Sequence, residues 1–97
     1  MSLAFNFKHL YYFWVVAKEG GVSRAAEKLG MAVQTVSAQV RELEKALGCE
    51  LLKPAGRGLA LTESGVAAMQ QADLIFQLGE ELPNKVKEAG STPSVRL

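Results

Sequence analysis

The chain has 97 residues, a net charge of +1, 48% hydrophobic and 22% charged side chains, enough for one ordinary globular domain or one domain with an extension, which excludes a disordered or low-complexity chain. No apolar run reaches the ~18 residues of a membrane span, the opening MSLAFNFKHL lacks the parts of a signal peptide, and the lone cysteine, Cys49, excludes an internal disulfide framework and fits a reducing cytosol. The near-neutral total argues against a strongly basic nucleic-acid binder, yet residues 1–62 carry eight basic against five acidic side chains and residues 63–97 three against five, so any contact with a polyanion falls to the first part.

Leu10, Phe13, Trp14 and Ala17 repeat at helical spacing. Asn6 is the expected N-cap of this first helix, Phe5 and Leu10 stand at staple spacing, and Gly20-Gly21 ends it. Ser23 is expected to cap a short second helix over 24–29, packed through Ala25 and Ala26 and closed by Gly30. A third helix begins near Val33: Val33, Val36, Val40, Leu43 and Leu47 form an aliphatic face, with Gln34, Ala38, Arg41 and Lys45 on the opposite one. Leu51-Leu52-Lys53 and Leu59-Ala60-Leu61 read as two short strands around a tip of Pro54-Ala55-Gly56-Arg57-Gly58. Thr62 caps a long helical pattern that runs to about Leu82, where Pro83 is expected to interrupt it, with 84–89 as a further stretch beyond a kink. Gly90-Ser91-Thr92-Pro93 reads as a linker.

The second helix, the turn at Gly30 and the third helix make a helix-turn-helix pattern, and the hairpin supplies a wing. The expected fold is mainly α: a winged helix-turn-helix of three helices and a two-stranded β wing over 1–62, with a long helix over 63–90. The polar face of the third helix suits the major groove, where Gln34, Thr35, Ser37 and Arg41 are candidate base or phosphate contacts. Arg57 at the wing tip, Arg24 at the start of the second helix and Lys53 complete the candidate set, and Lys45 reads as solvated. Phe13 and Trp14 belong to the core, while Tyr11 or Tyr12 is expected to pack on the long helix or its mate. His9 lacks partners for metal or proton chemistry, and little near Cys49 marks a reactive thiol. The Gly-rich tip lacks the Lys-Ser/Thr and helix of a nucleotide-binding loop, and no nucleophile–base pair or metal cluster points to an enzyme.

Taken together, Leu10-x-x-Phe13-x-x-Val16-Ala17, Gly20, Ser23, Ala25-Ala26-x-x-Leu29, Gln34-Thr35-Val36-Ser37-x-Gln39-Val40-x-x-Leu43-Glu44-x-x-Leu47-Gly48, Leu51, Arg57, Leu61-Thr62 and Gly65 resemble the DNA-binding domain of LysR-type transcriptional regulators. His9 to Trp14 and Gly56 to Leu59 look most like the subgroup of sodium/proton-antiporter gene regulators. The resemblance covers residues 5–90. It implies the third helix in the major groove, a homodimer through the long helix, and interrupted palindromes as targets, with tetramers and RNA polymerase as further partners at full length. It also implies a co-inducer-binding domain beyond a hinge that starts at 91–97; that domain is not in this sequence, so the chain reads as an N-terminal fragment or a truncated homologue needing no cofactor of its own. Val66, Met69, Phe76, Leu78 and Leu82 are the candidate dimer contacts, with Leu74 and Ile75 beside them, because they are more apolar positions than a three-helix body can cover. Four departures stand out, one of them Val33 where the family usually has Gln or Pro. Ala32 occupies a place where the family usually has Ser or Thr, and Ala38 and Pro54 stand where Arg is common; Ala38 still lies on the presumed DNA face. The alternative is a winged-helix dimerisation or interaction module that has lost its DNA contacts.

Overall fold

The computed structural model describes residues 4–90. Its order is α1 (Phe7–Glu19), α2 (Val22–Leu29), α3 (Val33–Leu47), β1 (Leu52–Ala55), β2 (Gly58–Leu61) and α4 (Glu63–Gly90). This is the expected winged helix-turn-helix with a long final helix.

The first helix starts where Asn6 Oδ1 accepts the backbone N–H groups of Lys8 (2.8 Å) and His9 (3.4 Å), relieving two of the unpaired donors that every helix start carries. α2 begins earlier than the sequence predicts. Gly21 is its N-cap and makes no side-chain cap, so Ser23 lies inside the first turn and not at the cap. Between α2 and α3 the chain turns on Gly30, whose φ of 66° lies in the left-handed region. Gly30 N–H donates to Glu27 O and Met31 N–H to Ala26 O at 2.9 Å, the paired bonds of a Schellman stop, which a Cβ at this φ would strain. Ala32 then caps α3 with backbone alone, as its side chain dictates.

The core joins Leu10, Phe13, Val15 and Val16 of α1, Ala25 and Ala26 of α2, Val36, Val40 and Leu43 of α3, with Leu51 and Ala72. Ala25 and Ala26 are small enough to let α2 cross close to its neighbours. Trp14, expected in the core, is only half-buried at its margin. Val33 and Leu47, at the two ends of the aliphatic face of α3, are exposed.

β1 and β2 pair antiparallel in the register Leu52–Leu61, Lys53–Ala60, Pro54–Leu59, Ala55–Gly58. The strands are longer than expected and leave a turn of only Gly56 and Arg57. Gly56 has a φ of 58° and Arg57 an ordinary negative one, the sign combination of a type II′ hairpin. Pro54 sits inside β1. Ala55 and Gly58 close the turn as a hydrogen-bonded pair, so the next pair, Pro54–Leu59, is not hydrogen-bonded and the N–H that proline lacks would point away from β2.

Thr62 caps α4: its Oγ1 accepts Gly65 N–H at 2.9 Å and donates to Glu50 O at 2.6 Å. The helix then continues through Pro83 to Gly90 as one element of 28 residues, joining the two stretches that the sequence separates. Gly79, four residues before Pro83, supplies the carbonyl that the missing N–H would have bonded. At about 1.5 Å per residue α4 is about 42 Å long, and it sets the 57 Å longest dimension of the molecule.

Candidate nucleic-acid interface

Gln34, Thr35, Ala38 and Arg41 are exposed on α3, and Ser37 is half-buried. The buried side of the same helix, Val36, Val40 and Leu43, fixes which residues face outward. Arg24, in the first turn of α2, and Arg57, in the wing turn, border one cleft of about 590 Å³ together with Glu19 to Ser23, Gly58 and Leu59. The fold thus brings together two arginines that are 33 residues apart, a pairing the sequence does not disclose. Lys53 is exposed on β1 opposite Ala60.

Ion pairs engage three of the described lysines. Lys18 bonds Asp73 at 3.2 Å, Lys28 bonds Glu19 at 3.3 Å, and Lys45 bonds Glu42 at 3.5 Å. Arg24, Arg41, Lys53 and Arg57 have no ion-pair partner among the described residues, and neither do Lys8, Lys85 and Lys87, which lie outside α2, α3 and the wing. Lys45 is exposed, as the sequence suggests, and in addition pairs with Glu42.

Glu44 is the residue that sequence reasoning misses. Its Oε2 accepts Leu51 N–H at 2.7 Å and Leu52 N–H at 3.3 Å, fastening the root of the wing to the helix that carries Gln34 and Arg41. The only hint in the sequence is its place among the family-like residues at the end of α3. A second fastening joins α1 to α4. Trp14 Nε1 donates to Asp73 Oδ1 at 2.7 Å, and Phe76 packs on Trp14 and Tyr11 with ring centroids 4.9 and 5.4 Å away. The hydrogen bonds from Trp14 and then Lys18 hold the Asp73 carboxyl below the usual carboxylate range.

This packing revises the candidate dimer contacts. Met69 and Phe76 are partly buried against their own core, so each offers a partner only part of its surface. Val66 is 45%, Leu78 66% and Leu82 60% exposed, and Leu74 and Val86 are exposed with them. Leu74, Leu78, Leu82 and Val86 stand four residues apart, a continuous ridge along α4.

Over residues 7–66 the chain matches the bacterial regulatory helix-turn-helix proteins of the lysR family. It belongs to that family. It is 47% identical over 77 residues to the transcriptional activator protein NhaR of Escherichia coli (strain K12), an alignment covering 79% of this chain and 26% of that protein. Its fold is similar to the BenM DBD in complex with catB site 1 DNA (TM-score 0.83, 29% identity, 92% of this chain and 99% of that one). A CbnR DBD–DNA complex is similar too (TM-score 0.80, 32% identity, 88% and 98%). The chain spans about a quarter of the length of NhaR. As a lysR-family domain it shares its architecture with transcriptional regulators, and no helix among the described residues is long and apolar enough to cross a membrane.

Proposed function

We propose that this chain is the operator-reading domain of a dimeric LysR-type transcriptional regulator and binds double-stranded DNA, with α3 in the major groove and Arg57 of the wing on the flanking backbone or minor groove. The observation that carries the reading is where unpaired charge falls within the helix-turn-helix and wing: Arg24, Arg41, Lys53 and Arg57 have no ion-pair partner among the described residues, while Lys28 of α2 and Lys45 of α3 are engaged. Gln34 and Thr35 are the base-reading candidates, since Gln presents the donor and acceptor that adenine needs; Ser37 and Arg41 position the helix. The ridge of Leu74, Leu78, Leu82 and Val86 supports a homodimer through α4, which sets two α3 helices on the halves of an interrupted palindrome. A co-inducer bound by a separate domain, tetramers, contact with RNA polymerase and a cytoplasmic location belong to the same reading of the whole regulator.

Fluorescence anisotropy on a duplex selected by this protein from a random pool tests it. If all four cations reach phosphates, the logarithm of the binding constant falls against the logarithm of salt concentration with a slope of about −3.6 per protomer. Absence of binding, or a flat slope, favours the interaction-module alternative, to which Ala32, Ala38 and Pro54 would then belong.

A further inference from the structure

The wing is packed only at its root, its tip facing the α1–α2 turn across the cleft. Every side chain from Lys53 to Leu59 is exposed, and only its root is covered, with Leu51 buried and Leu52 and Leu61 half-buried. A four-residue strand is about 13 Å long, so a tilt of about 10° at the root moves the tip by about 2 Å. That is the margin between a hydrogen bond and none. Where Arg57 lies relative to α3 therefore depends on what holds residues 48–52.

Glu44 meets four backbone donors of that segment. Its carbonyl accepts Gly48 N–H at 2.8 Å and Cys49 N–H at 3.2 Å, and its carboxylate accepts Leu51 and Leu52 N–H. The Leu51 peptide is held on its other side as well, because Leu51 O accepts Thr62 N–H at 3.0 Å. One peptide plane at the wing root is thus pinned by the recognition helix through its N–H and by the start of α4 through its carbonyl.

We infer that Glu44 is a positioning residue for DNA recognition: its carboxylate holds the Leu51–Leu52 amides so that Arg57 and the face of α3 meet one DNA surface together. This rests on the DNA-binding reading above. Glu44 itself touches no DNA; it acts through Arg57, and the two residues are energetically coupled in the complex.

A double-mutant cycle tests the coupling, with anisotropy on the duplex selected by the unmodified protein as readout. Arg57→Ala alone is expected to weaken binding about tenfold and to flatten the salt slope by about 1. In a Glu44→Ala background, and equally in Glu44→Asp, whose carboxylate is one methylene short of the wing root, the further penalty of Arg57→Ala is expected to fall below about threefold. Glu44→Gln keeps an acceptor oxygen at the same reach and is expected to retain most of the Arg57 penalty. If Glu44→Ala does not fold, the comparison of Glu44→Asp with Glu44→Gln decides the matter, both being helix-compatible and close in size. An Arg57 penalty that is the same in Glu44→Asp as in the unmodified protein overturns the proposal even where DNA binding itself is intact. Failure of the unmodified protein to bind any duplex overturns the DNA reading, and the positioning role with it.

Discussion

Gly65 lies where α4 leaves the wing, and a Cβ built there would come 2.0 Å from Leu51 O, 3.0 Å from Leu51 C and 3.2 Å from Leu61 Cδ2. Ordinary van der Waals contact begins at 3.4 Å, and the first two atoms are backbone, so no rotamer change relieves the overlap. The start of α4 must withdraw by more than an ångström. That movement takes Thr62 N–H away from Leu51 O and disturbs the Thr62 cap on Gly65. Overpacking of this kind costs about 3 kcal/mol at the upper end of its range, and a lost hydrogen bond adds about 1 kcal/mol. The better helix propensity of alanine returns about 1 kcal/mol, which leaves a net loss of about 3 kcal/mol for Gly65→Ala. In a domain of this size that lowers Tm by about 12–24 °C. Gly79→Ala is the internal control: the same substitution in the same helix, with nothing within 4 Å of the new Cβ, is expected to raise stability by about 0.5–1 kcal/mol. Thermal denaturation followed by circular dichroism at one protein concentration measures both. Gly65→Ala melting within about 4 °C of the parent, less than about 1 kcal/mol, refutes the reasoning, as do two variants that shift in the same direction.

Other expectations concern the remaining features. Ala32→Thr supplies the side-chain cap that α3 lacks and is expected to stabilise the fold by about 1 kcal/mol; combined with Pro54→Arg it is expected to tighten duplex binding, and a mobility-shift titration with unchanged or weaker binding contradicts this. Asp73 has a depressed pKa when folded, so its contribution is complete above the unfolded carboxylate value and is lost as pH falls through the folded one. The emission of Trp14, the single tryptophan, should therefore change with a midpoint below the ordinary carboxylate value of about 3.9. Asp73→Asn removes that step, and a midpoint above the ordinary carboxylate value would contradict the assignment. Leu78→Glu with Leu82→Glu places charge on the α4 ridge, and sedimentation at tens of micromolar is expected to show dimer for the parent and monomer for the variant; a parent that is monomeric there removes the α4 dimer.

Local signals in the sequence are local in the structure, and these are legible. Asn6 and Thr62 cap where their spacing predicts, Gly30 and Gly48 stop their helices, and the polar face of α3 follows from Val36, Val40 and Leu43 alone. The errors lie where two signals compete. Ser23 is a better cap than Gly21 by propensity, but burying Val22 and the Ala25-Ala26 pair sets the register of α2. Pro54 reads as a turn residue, yet β1 tolerates it in a non-hydrogen-bonded position; Pro83 reads as a break, and α4 passes through it. Contacts between distant segments leave no such trace. Trp14 with Asp73, 59 residues apart, Arg24 and Arg57 on one cleft, and Glu44 on the wing root all depend on packing that no window of sequence contains. For the same reason Met69 and Phe76 look like wholly surplus apolar surface in the sequence and are partly covered by their own core.

Pro54 has one more consequence. A two-stranded sheet has two open edges, and each is a template on which another extended chain can add. On the outer edge of β1 the donor at position 54 is missing, and Lys53 beside it keeps a charge that resists close approach. A wing without arginine at this position is accordingly a wing with a blunted edge. The Pro54→Arg variant that gains a contact with DNA also restores an outward N–H, and with it a route to edge-to-edge self-association. Stickiness and affinity should rise together at this one residue.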